Sequence, residues 1–328
     1  MPPRSPLVSV GLPVYNGARY LPETLADVLG QTFEDFELVI CDNASTDETE
    51  ALCREAAARD PRVRYVRNGR NLGALPNTNL TFAHSRGRLF CLAGHDDRRT
   101  PDFLATLVAA LEEEPGAVLA YGRCGLIGAQ GEPFRFDAAA QRWRDSEGRT
   151  LPYDRALERS MPDEPVARFR AVLRSRDVNS PVHGLFRREV LEKHGPQTLY
   201  GSDRLLVAHA ALLGRFAFVD RELFRYRIHP ESTLFLDRTT WARRETGRDG
   251  AASFTAPLRT FANYLRTAAT VDLPPVRRAA ACLTATGYAL RTDALQRALL
   301  PGPDNYFGLR RWPWQEAADG GQWAMDGG

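Results

Sequence analysis

The sequence predicts an α/β protein with a mostly parallel central sheet flanked by helices and a helical C-terminal extension. Three observations indicate this class. Short apolar runs alternate with helical patterns over about residues 1–125, most of these runs lead into turns rich in Asn, Asp or Gly, and the C-terminal segments are helical in pattern. Alternation of this kind favours a parallel sheet with helices on its faces.

Each element of the alternating half follows from a local pattern. Leu21, Leu25 and Val28 share one face of the first helix, Ser45 or Thr46 can cap the second, and Thr100 followed by Pro101 predicts the start of the fourth. Segment 74–85 has the pattern of the third helix. Five apolar runs predict the strands: Leu7–Leu12, Phe36–Cys41, Arg62–Val66, Arg88–Ala93 and Ala117–Gly122.

Composition bounds the function classes. With 328 residues, 43% of them apolar, 26% charged and a net charge of +2, the chain is typical of a globular protein, and no strong field predicts a nucleic-acid partner. Lys193 is the only lysine, so a single arginine carries little weight as a sign of phosphate binding. Five scattered cysteines, no signal peptide and no run near the ~20 apolar residues of a membrane helix lead us to expect a cytoplasmic protein without a transmembrane segment.

The alternation ends near residue 123, and the polar stretch from there to residue 165 has no clear periodicity. Such a stretch is either a linker or a substrate loop. Order returns with a helical pattern from Pro165, and the chain finishes in a Trp-rich tail.

Polar residues follow four of the predicted strands. Because ligands bind beyond the carboxyl ends of strands in open α/β sheets, these side chains should converge on one rim. They are Tyr15, Asn16, Asp42, Asn71, Asp96 and Asp97.

The stretch "GHDDRRTP", which begins at Gly94, allows two interpretations. Asp96 and Asp97 could cap the following helix, but Thr100 and Pro101 already supply that start, so the adjacent carboxylates favour a cation or ligand site. A His-Asp metal phosphohydrolase is an alternative, although such sites gather histidines from helices. The chain has no glycine-rich phosphate loop and no G-x-S-x-G nucleophile elbow.

The remaining candidates each have an ordinary explanation. Asp42 could be an Asx-turn residue or an acceptor for a base N–H. His229 could be a solvated side chain, and Asp203 could cap its helix.

Four stretches taken together make the chain resemble the family 2 glycosyltransferases, inverting enzymes with the Rossmann-like GT-A fold. They are "VSVGLPVYNGARYLPETLADVLGQTFEDFELVICDNASTDET", "NLGALPNTN", "GHDDRRTPDFL" and "GSDRLLVAHAALLGRFAFVDRELFRYRIHPEST". The resemblance implies a GT-A domain over residues 1–235, with a nucleotide-sugar half to about 125 and an acceptor half from about 126. Residues 236–328 would form the helical extension with its Trp-rich tail, whose helices are candidates for a homodimer contact.

The resemblance also implies roles for individual residues. The nucleotide-sugar residues would be Pro13, Tyr15, Asn16, Asp42, Asn71 and Asp96, with Asp42 on the base and Asp96 at the ribose. Asp97 would bind a divalent Mn²⁺ or Mg²⁺, His229 would be a further metal or diphosphate contact, and Asp203 would be the general base. The implied donor is a UDP- or dTDP-sugar, and the acceptor a small molecule, a glycan or a lipid-linked compound.

Two positions depart from the family pattern. His95 stands where many relatives have the first Asp of the metal motif, and Ser202 stands where a Glu often precedes the base. A sugar-1-phosphate nucleotidyltransferase shares the architecture, but it usually has a glycine-rich basic signature after the first strand. A non-catalytic binding module of the same fold would lack a base, so Asp203 distinguishes that alternative.

Overall fold

The computed structural model describes residues 5–151, 153, 155–175, 178–194, 203–232, 244 and 256–291. The strands in this part of the chain are β1 Val8–Val14, β2 Phe36–Asp42, β3 Val63–Arg67, β4 Leu89–Leu92, β5 Arg98–Arg99, β6 Ala117–Ile127, β7 Arg135–Asp137, β8 Arg142–Arg144, β9 Thr150–Leu151, β10 Leu185–Arg187 and β11 Arg215–Arg227. Eight of them form the main sheet in the order β3-β2-β1-β4-β10-β6-β11-β5, and β7-β8-β9 form a small second sheet.

The helices flank this sheet and continue beyond it. They are α1 Leu21–Leu29, α2 Thr49–Arg59, α3 Ala74–His84, α4 Phe103–Glu113, α5 Pro165–Arg174, α6 Asn179–Val182, α7 Arg188–His194, α8 Asp203–Leu213, α9 Ala256–Thr270 and α10 Pro275–Arg291. None of the helices in the described part combines the length and apolarity needed to cross a bilayer.

The main sheet is mostly parallel, as predicted. Strands β3, β2, β1 and β4 run parallel, as do β6 and β11, while β10 lies antiparallel between β4 and β6 and β5 pairs antiparallel with β11. Buried apolar side chains form one cluster on each face of the sheet. Parallel strands covered on both faces are apolar along their whole length, which explains the continuous burial of β2.

Helix α3 lies very close to β1, and Gly11 makes this possible. A β-carbon at Gly11 would stand 2.5 Å from the Thr81 Oγ1 atom and 2.6 Å from the Phe90 ring. This close approach brings α3, and with it the loop that carries Asn71, against the centre of the sheet.

Two helix starts differ from the sequence prediction. Helix α2 begins at Thr49 rather than after Ser45 or Thr46, because Ser45 lies in the preceding loop: its N–H donates to Asp42 Oδ1 and its Oγ accepts from the Asn16 N–H. Helix α4 begins at Phe103 rather than at Pro101, and Arg98–Arg99 form β5, a strand that the sequence did not predict.

The polar stretch of residues 123–165 is not wholly irregular. It begins inside β6 and contains the three-stranded sheet, where Trp143 packs edge-on against Phe136 at a ring distance of 5.3 Å. The Arg155 guanidinium covers both rings. Short strands with polar outer faces gave no apolar run for the sequence to reveal.

The helical C-terminal extension is present. Helices α9 and α10 pack against each other, α10 also packs against α5, and α9 packs against α8. The predicted Trp-rich tail and most of residues 233–255 lie outside the described residues.

Candidate active site

The loops after β1 and β2 are joined at the carboxyl end of the sheet. Asn16 accepts the Thr46 N–H at 2.8 Å on its Oδ1 and donates its own N–H to Ser45 Oγ at 2.9 Å. Its φ of 50° is left-handed, a conformation that asparagine tolerates better than most residues. Tyr15 beside it is 43% exposed. Tyr15 and Asn16 therefore lie at the predicted rim, and Pro13 lies just before it, next to the last residue of β1.

Asp42 holds the second loop together and is fully buried. Its Oδ1 accepts the Ser45 N–H at 2.9 Å, and its Oδ2 accepts the Tyr65 hydroxyl at 2.8 Å with Arg67 Nε 3.4 Å away. Burial and this hydrogen bond raise the pKa of Tyr65, so the phenol stays a donor. A nucleotide base could reach Asp42 only if this arrangement opened, and the role of Asp42 on the base stays a prediction.

Asparagines join the second loop to the loop before α3. The Asn43 side-chain amide donates to Asn71 Oδ1 at 2.9 Å and to the Gly73 carbonyl at 3.1 Å. Asn68 donates to both Asn43 and Asn77. Sequence reasoning found Asn71 but missed the other three, although "DNAS" and "RNGRNLG" show asparagines at two neighbouring strand ends.

Asp96 and Asp97 fold back over the end of β4, where Gly94 leaves room for them. A β-carbon on Gly94 would lie 2.3 Å from Asp97 Oδ2 and 3.1 Å from Asp96 Oδ1. The two carboxylates are therefore neighbours, and glycine is required at this position.

The two carboxylates have different surroundings. Asp97 is 1% exposed, and its Oδ1 accepts the Arg227 N–H at 3.0 Å. The Asp96 side chain keeps 22% exposure, and its Oδ2 lies 2.9 Å from His229 Nε2. Asp97 is thus turned into the protein, while Asp96 faces the rim.

The pKa values of Asp96 and Asp97 shift in opposite directions. Burial, followed by the negative charge of Asp96, raises the pKa of Asp97. Burial also pushes the pKa of Asp96 upward, but His95 and His229 outweigh it and hold that pKa below its ordinary value. Two close carboxylates titrate as a unit, and here the one at the rim keeps its charge more readily.

Arg227 contacts both aspartates of the site, and the sequence analysis did not identify it. It is almost fully buried, and its Nε donates to the Asp96 carbonyl at 2.6 Å while Nη2 donates to Glu23 Oε2 at 3.0 Å. Its guanidinium lies over the Tyr20 ring, 4.7 Å from the centroid, and that ring lies 5.1 Å from the His229 ring. Its only sequence signal is its position two residues before His229 in "RYRIHPEST".

Two further basic residues, the buried Arg99 and the half-buried His183, lie near Asp96 and Asp97. Arg99 is 7% exposed; its Nη2 donates to the Leu92 carbonyl at 2.8 Å, while Nε and Nη1 have no hydrogen-bond partner in the described part of the chain. The His183 ring stacks on Phe224 at 4.4 Å, and burial, followed by the charge of Arg99, lowers the pKa of His183 to about 3. A neutral imidazole therefore adjoins a charged guanidinium here.

The side chains at this site could provide one or two ligands to a divalent ion, which would take its other ligands from substrate phosphates and water. Asp96 Oδ1 and Asp97 Oδ2 have no hydrogen-bond partner among the described residues, and His229 adjoins Asp96, but no group of three or more ligating side chains occurs there. Mg²⁺ and similar ions commonly bind through one or two carboxylates plus phosphate oxygens and water. The residues present fit that pattern, and the greater exposure of Asp96 makes it the better contact.

Asp203 is the first residue of α8 and stands apart from the other candidates. It is exposed, and no hydrogen bond joins it to the carboxylate pair or the rim loops within the described ranges. Desolvation raises the pKa of Asp203, the charge of Arg204 opposes this rise, and solvent access to the side chain works against the desolvation. An exposed carboxylate with a raised pKa can accept a proton from a bound hydroxyl.

Comparison with known proteins gives a consistent assignment. The family model described as glycosyl transferase family 2 matches residues 9–195. An uncharacterized glycosyltransferase of Haemophilus influenzae is 29% identical over 133 residues, which are 38% of this chain and 41% of that protein. The match therefore spans less than half of the relative's length.

Solved structures share the fold. A crystallised fragment of S. aureus TarS superposes with a TM-score of 0.60 at 16% identity, covering 88% of this chain and 73% of that one. A mannosyltransferase of Pyrobaculum calidifontis, solved with GDP-Man and Mn²⁺, gives a TM-score of 0.50 at 18% identity, covering 92% of this chain and 77% of that one. At these identities the likeness shows the fold alone.

Proposed function

The chain belongs to glycosyl transferase family 2, and we propose that it moves a sugar from a nucleoside-diphosphate sugar to an acceptor hydroxyl with inversion at the anomeric carbon. The observation that carries this proposal is the pairing of Asp96 with His229 beside Asp97, at the rim where the loops after β1 and β2 meet. This rim offers an ionised carboxylate facing outward and polar loops on the adjoining side.

The donor nucleotide lies across the rim loops in this proposal. Tyr15 supplies an exposed aromatic face for the base, Pro13 and Asn16 shape the loop beneath it, and Asn71 closes over the nucleotide from the loop before α3. TarS has been solved with UDP and with UDP-GlcNAc, which supports a uridine donor, and the same loops can serve dTDP.

The metal assignment follows exposure rather than the sequence expectation. The sequence assigned the metal to Asp97 and the ribose to Asp96, but Asp97 is buried and bonded to the Arg227 N–H. We assign Mn²⁺ or Mg²⁺ to Asp96 and His229, with Asp97 ordering the loop. Such an ion, when bound, neutralises the charge that develops on the leaving diphosphate. The Mn²⁺ in the mannosyltransferase structure supports the choice of ion.

Asp203 acts as the general base. The acceptor hydroxyl oxygen forms a bond to the anomeric carbon as the bond from that carbon to the diphosphate oxygen breaks, and the hydroxyl proton passes to the Asp203 carboxylate. Attack opposite to the leaving group inverts the anomeric centre. The raised pKa of Asp203 favours this proton transfer.

The test is a panel of UDP-, dTDP- and GDP-sugars, assayed by thermal shift with and without Mn²⁺ and by release of the nucleoside diphosphate. We expect a metal-dependent upward shift with uridine or thymidine donors, and anomeric inversion in the product by NMR. A chain that is shifted by none of these donors would contradict the proposal.

A further inference from the structure

A half-open depression lies between α5 and the segment before it, and three arginines line it. Its volume is about 240 Å³. Ala167, Arg170, Ala171 and Arg174 contribute from α5, where the spacing i, i+3, i+4, i+7 puts them on one helix face, and Arg159 contributes from the preceding segment. The alanines leave the space, and the arginines supply the charge around it.

These arginines have no acidic partner in the part of the chain that the structure describes, and Arg170 and Arg174 are like charges one helical turn apart. Like charges at that spacing destabilise a helix. Three arginines in other helices each pair with a glutamate four residues away, in Glu50–Arg54, Glu55–Arg59 and Arg188–Glu192. The end of the helix dipole accounts for Arg174, but not for Arg159 on a separate segment.

The segment that carries Arg159 is fixed to the sheet. The Tyr121 hydroxyl donates to the Leu157 carbonyl at 2.7 Å and to the Arg159 carbonyl at 3.3 Å. Glu158 Oε1 accepts the Cys124 N–H at 2.8 Å. Arg159 is therefore held opposite α5 by two residues of β6, and the three charges face one space without any folding step on binding.

The depression is connected through Ser175 to the first turn of α8, which carries the residue assigned as general base. The Arg204 guanidinium donates to the Val172 carbonyl at 3.0 Å and to the Ser175 carbonyl, which ties the first turn of α8 to the end of α5. Ser175 lines the depression, and Asp203 directly precedes Arg204. A molecule seated among the arginines can thus extend toward Asp203.

We propose that this depression binds a phosphate group of the acceptor, so that the hydroxyl to be glycosylated belongs to a phosphorylated compound. Guanidinium groups match phosphate oxygens in charge and geometry, and converging arginines compensate two negative charges better than one does. The acceptor role rests on the proposed function, whereas phosphate binding by the three arginines does not.

The test measures binding of glycerol 3-phosphate to the full chain by calorimetry at low salt, with glycerol as the uncharged control. We expect the Arg170→Gln/Arg174→Gln double variant and Arg159→Gln to weaken binding by about tenfold or more, because each loses a charge-assisted hydrogen bond. The matched control is Arg59→Gln, which removes the same charge from the last residue of α2. Equal losses of affinity in the control and in the variants of the depression would overturn the proposal. So would the absence of binding by the parent chain both in solution and on vesicles.

A second arm separates a lipid headgroup from a free phosphate. Tighter binding to phosphatidylglycerol vesicles than to glycerol 3-phosphate, absent on phosphatidylcholine and lost in the double variant, identifies a lipid-linked acceptor. Equal binding in solution identifies a free one, and retention by the double variant on the vesicles overturns the site. The thermal shift with UDP and Mn²⁺ should be the same in the parent chain and the double variant, so failure of the donor site is read separately.

Discussion

The backbone N–H of Arg227 donates to Oδ1 of Asp97 at 3.0 Å, joining β11 to a loop 130 residues earlier in the chain. The Arg227 side chain continues the connection through the Asp96 carbonyl and Glu23. The acidic pair is therefore positioned by β11 as much as by its own strand.

Replacing Arg227 should destabilise the fold and loosen the acidic pair. Arg227→Met keeps the backbone bond but removes the donor to the Asp96 carbonyl and one of the two arginines paired with Glu23, which keeps Arg98. We expect a loss of about 2–4 kcal/mol in the free energy of unfolding by urea titration. Arg225→Gln is the matched control on the same strand, because Arg225 forms only an exposed pair with Glu222 and should cost less than about 1 kcal/mol. Equal losses in both variants would show that the buried network contributes nothing.

Replacing the predicted base should separate chemistry from donor binding. Asp203→Asn keeps the shape of the side chain but removes its basicity, and we expect kcat to fall on the order of 10²–10⁴-fold with an unchanged UDP–Mn²⁺ thermal shift. Glu189→Gln removes an acidic residue from the first turn of α7 in the same way and controls for the helix terminus. Undiminished turnover by Asp203→Asn would refute the assignment.

The metal assignment predicts different behaviour for the two neighbouring aspartates. Asp96→Asn and His229→Gln should each lower the affinity for Mn²⁺ in the presence of UDP by about tenfold or more, measured from the metal dependence of the thermal shift. The melting temperature of the metal-free chain should change little. Asp97→Asn should instead lower that melting temperature, since it disturbs a buried bond to β11. The reverse outcome would return the metal to Asp97.

The buried carboxylate of Glu37, far from the rim, should make the free energy of unfolding depend on pH. Glu37 Oε1 accepts the Ser9 hydroxyl at 2.7 Å and the Arg86 N–H at 2.6 Å, and its Oε2 pairs with the Arg86 guanidinium at 2.9 Å. Burial pushes the pKa of Glu37 upward, but these bonds outweigh it and leave that pKa below its ordinary value.

The sign of the effect follows from that depressed pKa. The carboxylate contributes stability above the pKa it has in the unfolded chain, and the contribution is lost as the pH falls through the lower pKa of the folded state. Glu37→Gln should cost about 1–3 kcal/mol at neutral pH and flatten the acid limb of urea midpoint against pH. Glu112→Gln, an exposed change on α4, should leave that limb intact.

The parts of the molecule that sequence could predict are those with local signals. Asp42 and Asp96 follow apolar runs, and parallel topology brings strand ends together, so their common rim was predictable. Strand β5 was not, because Arg98–Arg99 have no strand pattern and become extended only by pairing with Phe224 and Arg225 in β11.

Contacts between residues distant in sequence explain the other differences between the predicted and the observed structure. Ser45 has the chemistry of a helix cap, but the Asn16 N–H uses its hydroxyl, so α2 begins later. Arg227 belongs to a chain rich in arginine, and only its burial against residues near positions 20 and 97 distinguishes it. No window of sequence contains both partners of such a contact.

The position of β10 has a consequence for how the polypeptide is assembled. This short strand of residues 185–187 lies between β4 and β6, which both lie within the first 127 residues. A nascent chain that has reached only β6 has two strand edges with no neighbour between them, and neither edge is closed until the later segment inserts. The segments before and after residue 125 are therefore interleaved in one sheet, so we do not expect either segment to complete the sheet without the other.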